Sequence, residues 1–426
     1  MTAAPIQARE PGHAPMPSPA REHRGYPGLN ALRALGALMV LTTHTGFDTG
    51  RILHGWFGAV ITRMDFGVAI FFVLSGFLLG RPFLLRGALG QPAPRLRSYF
   101  WKRALRILPL YWVVILATIV FQPGNDYVTP AMWARNFTLT QLYHPDLLPQ
   151  GLTQMWSLAT EAAFYVVLPF LCMVLIGRRG RGRSQLRPAR VYVILGIISA
   201  LGVAWQAHVA PIPGVHGHYA QWLPGYLPWF AVGLALATAS VTEQLGRESA
   251  ATRFCERLAS DPLGCWLAAA LVYGICCTPL IGPRTLVAQT SWEGGLKCVL
   301  YAVSSGLLVL PLVFGHMQEH PIRRWCNRPL PFFLGEISYG IFCIHLLVLN
   351  AVLRLPQFGI FGGHFAAVWV ITATVTIGLA TLSYYGIERP FLRLKSVGLG
   401  SDRRGGTRDT LAETGTTAAS EATSRS

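Results

Sequence analysis

The chain has 426 residues, of which 52% are hydrophobic and only 13% are charged, and its formal net charge is +17. Soluble domains usually have about 25% charged residues, so the composition excludes an ordinary water-soluble domain and favours a membrane protein. A strongly basic chain is also compatible with nucleic-acid binding. The basic residues, however, fall in short connections between apolar segments rather than in one patch, so we expect no nucleic-acid partner.

Residues 1–25 contain no apolar stretch of the signal-peptide type, and we predict a disordered cytoplasmic tail there. Ten apolar segments follow, and they predict an all-α domain over 26–393 that crosses a hydrocarbon core of about 30 Å. Residues 394–426, rich in Gly, Thr, Ala and Ser, predict a second disordered cytoplasmic tail. The apolar segments lie near 29–47, 66–80 (extending to about Leu85), 105–121, 156–176, 191–207, 222–240, 263–281, 297–315, 330–353 and 365–387.

The positions of the lysines and arginines favour ten spans with both termini in the cytoplasm. Of the 36 Lys and Arg residues, 29 fall in the two tails and in alternate loops, 6 fall in the opposite loops, and Arg33 lies within the first span. Cytoplasmic loops of multi-pass proteins carry such an excess of basic residues. We therefore predict a multi-pass protein, and we expect it in a bacterial plasma membrane.

The eight cysteines predict neither a disulfide framework nor a metal site. None of them forms a CxxC pair or a Cys/His cluster with zinc spacing. Most lie in or beside apolar segments, where a free cysteine behaves as a small hydrophobic residue. We expect no bound metal.

The first span carries two ionisable side chains, which are costly inside a membrane and therefore mark functional candidates. Arg33 lies near the predicted cytoplasmic end and His44 lies eleven residues further on, about 16.5 Å along the axis and on the same helix face. A lone intramembrane histidine is often a packed structural residue, and that alternative stays open. The arginine on the same face favours a functional histidine.

The fourth span carries a carboxylate at a depth that matches His44. Glu161 lies five residues into this span, about 7.5 Å below the outer interface, and His44 is predicted about 8 Å below the same interface. A carboxylate beside an imidazole raises its basicity and fixes its tautomer. The alternative is that Glu161 pairs with a basic group for assembly.

Two arginines precede the third span at a spacing that places them on one helix face. Arg103 and Arg106 are i,i+3 neighbours, and paired guanidinium groups suit phosphate groups. The alternative is an ordinary cluster of basic residues on the cytoplasmic side.

Three further residues are candidates for the acceptor side of a site or for a structural role. Ser75 lacks the preceding glycine of a nucleophile elbow, and the small residues around it favour close helix packing. His345 lies in the outer half of the ninth span, where packing is the favoured interpretation. Trp156 lies at the end of the fourth span and fits an interfacial aromatic belt.

These segments, taken together and in order, resemble the membrane-bound acyltransferase-3 family of polysaccharide and antibiotic O-acyltransferases. The resemblance covers roughly residues 26–393. Seven segments carry it: LNALRAL with the later His44, FFVLSGFLL, the Arg103–Arg106 pair followed by ILPLYW, NFTLTQL, WSLATEAAFYVVLP, ISYGIFCIHLLVL and IERPF.

The resemblance implies transfer of an acyl group, acetyl or another short acyl, from cytoplasmic acyl-CoA to a hydroxyl group of a sugar or secondary-metabolite acceptor. Arg33 and His44 match the essential Arg/His pair of the family, Glu161 matches the first of two tandem glutamates, and Arg103 and Arg106 match its basic motif. Acyl-CoA is then a co-substrate, and no other cofactor is expected.

The sequence departs from the family pattern at several positions that bear on the acceptor. Asn30 stands where an aspartate is usual, Ala69 replaces an acidic or polar residue of the second span, and Ala162 replaces the second tandem glutamate.

The expected mechanism uses His44 as a general base that activates the acceptor hydroxyl and is oriented by Glu161. A transient acyl-histidine is the alternative chemical route. The rival class is a multi-pass transporter or flippase that uses Arg33, His44 and Glu161 as a relay. Such transporters often show inverted repeats and broken helices, and neither is evident in the sequence.

Overall fold

The computed structural model describes residue 26 and residues 28–177, 186–208, 218–283, 290–314 and 320–396. Within these ranges every regular element is a helix, which confirms the predicted all-α fold. The predicted tail at 1–25, and the part of the predicted C-terminal tail beyond residue 396, lie outside the described residues.

The described part of the chain contains sixteen α-helices, joined by short loops and 3-10 turns. They are α1 (Gly28–Asp48), α2 (Gly55–Thr62), α3 (Phe66–Ala88), α4 (Leu96–Phe121), α5 (Pro130–Phe137), α6 (Met155–Ile176), α7 (Pro188–His208), α8 (Leu227–Gln244), α9 (Ala250–Ala259), α10 (Pro262–Cys276), α11 (Ser291–Val313), α12 (Pro321–Cys326), α13 (Pro329–Glu336), α14 (Ser338–Val352), α15 (Phe365–Ser383) and α16 (Arg389–Arg393).

The described helices identify a multi-pass membrane protein with seven to nine spans. Seven helical stretches are long and apolar enough to cross a membrane, and the number is nine if each of two bent helix pairs forms one span. Helix α1 is not among them, although its 21 residues give a length of about 31 Å. Ten spans, with both termini in the cytoplasm, therefore stay a prediction.

The ninth predicted segment, 330–353, is not one continuous helix. It is broken into α13 and α14, which meet at an angle of 65°. At the break the Ser338 hydroxyl donates a hydrogen bond to the Gly335 carbonyl oxygen, 2.7 Å away. Gly335 also touches α1, because a Cβ atom added to it would lie 2.2 Å from the Asn30 carbonyl oxygen. The break thus lies next to a close tertiary contact that hydropathy does not report.

Helix α3 occupies the centre of the bundle, where it contacts α1 on one side and α8 on the other. Glycines permit the close approach of these backbones. A Cβ atom added to Gly67 would lie 2.3 Å from the Gly36 carbonyl oxygen of α1, and one added to Gly76 would lie 2.3 Å from the Phe230 carbonyl oxygen of α8. The predicted close packing around Ser75 and Gly76 is thereby confirmed.

Candidate active site

A cavity of about 910 Å³ is enclosed by α1, α3, α4, α6 and the segment from α12 to α14. Its polar lining is dominated by cations, and its remaining wall is aromatic and aliphatic. The cationic residues lining it are Arg33, Arg103, Arg106 and Arg323. The predicted basic pair, Arg103 and Arg106, therefore lies with Arg33 around one cavity, although the three residues come from two helices.

The cavity also contains the predicted carboxylate, Glu161, and its neighbour Ser75. The Ser75 hydroxyl donates a short hydrogen bond to the Glu161 carboxylate, and Tyr165, one turn along α6, is a second hydrogen-bonding group for it. The charges of Arg33 and Arg103 act on this carboxylate. Glu161 is therefore a counter-charge within electrostatic reach of the arginines, and the assembly alternative stays open beside the catalytic one.

Arg33 is held by a chain of polar side chains that crosses from α1 to α13. Its Nη1 donates to Asn30 Oδ1 at 3.4 Å, and Asn30 Nδ2 donates to Glu336 Oε1 at 3.2 Å. Glu336 Oε2 in turn accepts a hydrogen bond of 3.0 Å from the Tyr384 hydroxyl. Asn30, which departs from the family pattern, thus links the arginine to a carboxylate supplied by another helix.

His44 has a different partner from the one that the depth comparison predicted. Its Nδ1 lies 3.0 Å from Nε2 of His345 on α14, and the two rings are 5.1 Å apart at an angle of 31°. Glu161 instead bonds Ser75 in the cavity. The expectation that Glu161 orients His44 is wrong in this respect, because equal depth along two helices does not fix which faces of those helices meet.

The hydrogen bonds of His345 determine which nitrogen of His44 is free. His345 Nδ1 lies 2.7 Å from the carbonyl oxygen of Phe342, and a carbonyl only accepts, so Nδ1 carries the proton. The Nε2 of a neutral His345 is then an acceptor, and His44 must donate to it from Nδ1. A neutral His44 that donates from Nδ1 has an unprotonated Nε2, as a proton acceptor requires, and the Val40 carbonyl is a further hydrogen-bond partner of the ring.

A second carboxylate, Asp65, acts electrostatically on His44. It precedes α3 and pairs with Lys297, whose Nζ lies 2.6 Å from Asp65 Oδ2, while the Tyr301 hydroxyl donates to Asp65 Oδ1 at 2.5 Å. Asp65 was not among the predicted site residues. The sequence contains a signal for it, because Asp65 is an ionisable residue directly before the apolar segment that begins at Phe66.

The remaining predicted residues are distributed between the site and its surroundings. His345 is completely buried and, beyond the packing role favoured for it, contacts His44 directly. Trp156 packs against Tyr226, with ring centroids 5.1 Å apart, and is not among the described residues that line the cavity. Arg323, one of the basic residues that the predicted topology places on the cytoplasmic side, also lines the cavity.

The fold and the site define a multi-pass membrane protein with an arginine-lined cavity and a histidine pair, of which His345 is completely buried. Residues 26–385 match the profile described as "Acyltransferase domain", and the chain therefore belongs to the acyltransferase-3 family. This membership confirms the resemblance stated above and favours the enzyme over the transporter.

Three relatives illustrate the proteins to which the chain is similar. A Bacillus subtilis protein, provisionally named peptidoglycan O-acetyltransferase YrhL, is 28% identical over 389 residues, which are 87% of this chain and 55% of the relative. Nodulation protein 10 of Rhizobium leguminosarum is 24% identical over 414 residues, 89% of this chain and 97% of the relative. A Staphylococcus aureus protein, provisionally named O-acetyltransferase SACOL0978, is 24% identical over 391 residues, 87% of this chain and 58% of the relative.

The chain thus spans little more than half of the length of YrhL and of the Staphylococcus protein, and nearly all of nodulation protein 10. No solved structure matches it.

Proposed function

We propose that the protein transfers a short acyl group from a coenzyme A thioester to a hydroxyl group of a sugar or secondary-metabolite acceptor, with His44 as the general base. The observation that carries this proposal is the histidine pair, in which His345 accepts from His44 Nδ1 and leaves Nε2 of His44 unprotonated. The names of two relatives refer to O-acetyl transfer, and they support acetyl as the group.

The donor would be held by the arginines of the cavity. Coenzyme A carries a diphosphate and a further phosphate, and guanidinium groups bind such oxygens in paired hydrogen bonds. Arg33, Arg103 and Arg106 supply guanidinium groups from two helices to one cavity. Arg33 and His44 are separated by about 16.5 Å along α1, a distance comparable to an extended pantetheine arm, so the thioester would approach the histidine pair.

The chemical step is a single acyl transfer. The acceptor hydroxyl oxygen forms a bond to the carbonyl carbon of the thioester, and the bond from that carbon to sulfur breaks. Nε2 of His44 takes the hydroxyl proton and later gives it to the departing thiolate, so the products are the ester and free coenzyme A thiol. His345 keeps the imidazole oriented, and the enclosing helices keep water from the thioester.

We place the donor on the cytoplasmic side of a bacterial plasma membrane, as the distribution of basic residues predicts. The arginines lie near the start of α1 and α4, where the positive-inside pattern expects the cytoplasm. The acceptor hydroxyl would reach His44 from the opposite side.

The test uses membranes that contain the full-length protein. Acetyl-CoA labelled on the acetyl group is added, and release of free thiol and transfer of label to extracted envelope material or to added hydroxyl compounds are measured. Membranes from cells lacking the gene are the control. Protein-dependent thiol release with label on an ester supports the proposal, whereas labelling from acetyl phosphate but not from acetyl-CoA would overturn the donor assignment.

A further inference from the structure

Two phenylalanine rings lie between the arginine-lined cavity and the histidine pair. Phe71 of α3 and Phe342 of α14 both line the cavity, whereas neither histidine is among its described lining residues. The two rings are 6.3 Å apart and meet at 70°. The Phe342 ring lies 6.2 Å from the His345 ring, and His345 contacts His44, so the Phe342 ring lies at the cavity wall beside the histidine pair.

Phe71 is wedged in place by the backbone of α1. A Cβ atom added to Gly36 would lie 3.2 Å from Cε2 and 3.4 Å from Cζ of Phe71, so the ring lies close against the α1 backbone at this glycine. Gly36 lies on α1 between Arg33 and His44. The edge of the Phe71 ring therefore lies beside α1, between the predicted donor-binding residue Arg33 and the predicted base His44.

Phe342 is joined to the histidine pair through its own backbone. Its carbonyl oxygen accepts the hydrogen bond from His345 Nδ1, and its side chain lies one turn before that histidine on α14. A displacement of the Phe342 ring is thus possible by side-chain rotation, while its backbone continues to orient His345. The position of the Phe342 ring and the orientation of His345 therefore depend on different groups, the Phe342 side chain and the Phe342 backbone.

We propose that Phe71 and Phe342 form an aromatic gate that determines which acyl groups reach His44. The acyl group is the leading end of the thioester, so it must pass the rings before its carbonyl carbon reaches the histidines. An acetyl group needs less room to pass them than a longer chain does. Closed rings would also keep water from the thioester when no acceptor is bound. This inference rests on the proposed function, and it names the acyl class as acetyl or a chain of similar length.

The test compares thioesters of increasing chain length. Acetyl-, butyryl- and octanoyl-CoA are supplied to membranes containing wild-type, Phe71→Ala or Phe342→Ala protein. Acyl transfer and acceptor-independent release of thiol are measured. Phe332→Ala is the matched control, because Phe332 also lines the cavity but lies on α13, away from the histidine pair.

For a gate, kcat/KM of butyryl-CoA relative to acetyl-CoA rises about tenfold or more in each alanine variant, and acceptor-independent hydrolysis rises as well. The control variant keeps the wild-type preference. Phe71→Leu and Phe342→Leu keep an apolar side chain, and a smaller shift in the same direction is expected from them even if an alanine variant fails to accumulate.

A failure of the gate and a failure of the proposed donor give different experimental results. An active wild-type protein whose chain-length preference is unchanged by all four gate variants overturns the gate. A wild-type protein that releases no thiol from any of the thioesters overturns the proposed donor, and the gate with it.

Discussion

The two ends of the candidate site are built in opposite ways. At the arginine end, charged side chains from α1, α4 and α12 surround an open cavity, with Glu161 and Glu336 as counter-charges. At the histidine end, one completely buried imidazole holds a second one between α1 and α14. A cavity that shares its charge among several groups suits binding of a polyanion, whereas two enclosed rings with one free nitrogen suit a single proton transfer.

The largest effect is expected at the histidine end. His44→Ala removes the general base and should lower the transfer rate about 100- to 10,000-fold, with normal protein levels. Labelled acetyl transfer per amount of protein is the measurement. His54→Ala, at an exposed histidine, is the control, and undiminished transfer by the His44 variant would be incompatible with a catalytic histidine.

A smaller but clear effect is expected from His345, which touches no substrate and positions His44. His345→Ala should lower kcat about 10- to 100-fold, by analogy with the partners that orient functional histidines, with the donor KM unchanged. His345→Gln keeps an acceptor oxygen for His44 Nδ1 and should recover part of the loss. Equal rates for both variants and the wild type would assign His345 to packing alone.

At the arginine end the expected change is in binding rather than in rate. Arg106→Ala removes a charge-assisted hydrogen bond to phosphate, worth about 1.5 to 3 kcal/mol, so the KM for acyl-CoA should rise at least about tenfold while kcat stays near its wild-type value. Arg97→Ala, an exposed arginine earlier on α4, serves as the control. A fall in kcat without a change in KM would place Arg106 in the chemical step instead.

Glu161→Gln is expected to have the smallest effect. It also distinguishes a role of Glu161 at the arginine end from a role in orienting His44. As the counter-charge of Arg33 and Arg103, Glu161 should change the donor KM up to about tenfold and leave kcat within a few fold. A loss of kcat comparable to that of His44→Ala would restore the role of orienting His44 that the depth comparison first predicted.

The sequence predicted most of the scaffold because hydropathy is a property of each segment alone. The first and fourth spans were placed at 29–47 and 156–176, and the helices run over Gly28–Asp48 and Met155–Ile176. The break between α13 and α14 was missed, because it depends on the contact of Gly335 with the backbone of Asn30. That contact joins residues about 300 positions apart.

The sequence predicted which helix carries each of these residues, but it did not predict which of the residues contact one another. Periodicity along one helix correctly placed Arg33 and His44 on α1, and the i,i+3 spacing placed Arg103 and Arg106 on α4. The depth of Glu161 gave its position along α6 but not the direction in which its side chain points. That direction is set by helix packing, which brought Glu161 to Ser75 and left His44 to His345.

The glycine contacts that join α3 to α1 and α8 have a consequence for how acyl specificity evolves in this fold. Backbones in contact at Gly67 and Gly76 leave no space for one helix to shift against another, since even a methyl group would collide. Arg33 and His44 both lie on α1, so their separation follows from the rise of that helix, and these contacts hold α1 against the helix that carries Phe71. Relatives that accept longer acyl groups should differ in the side chains at the end of the cavity, beginning with those at Phe71 and Phe342, and not in the arrangement of the helices.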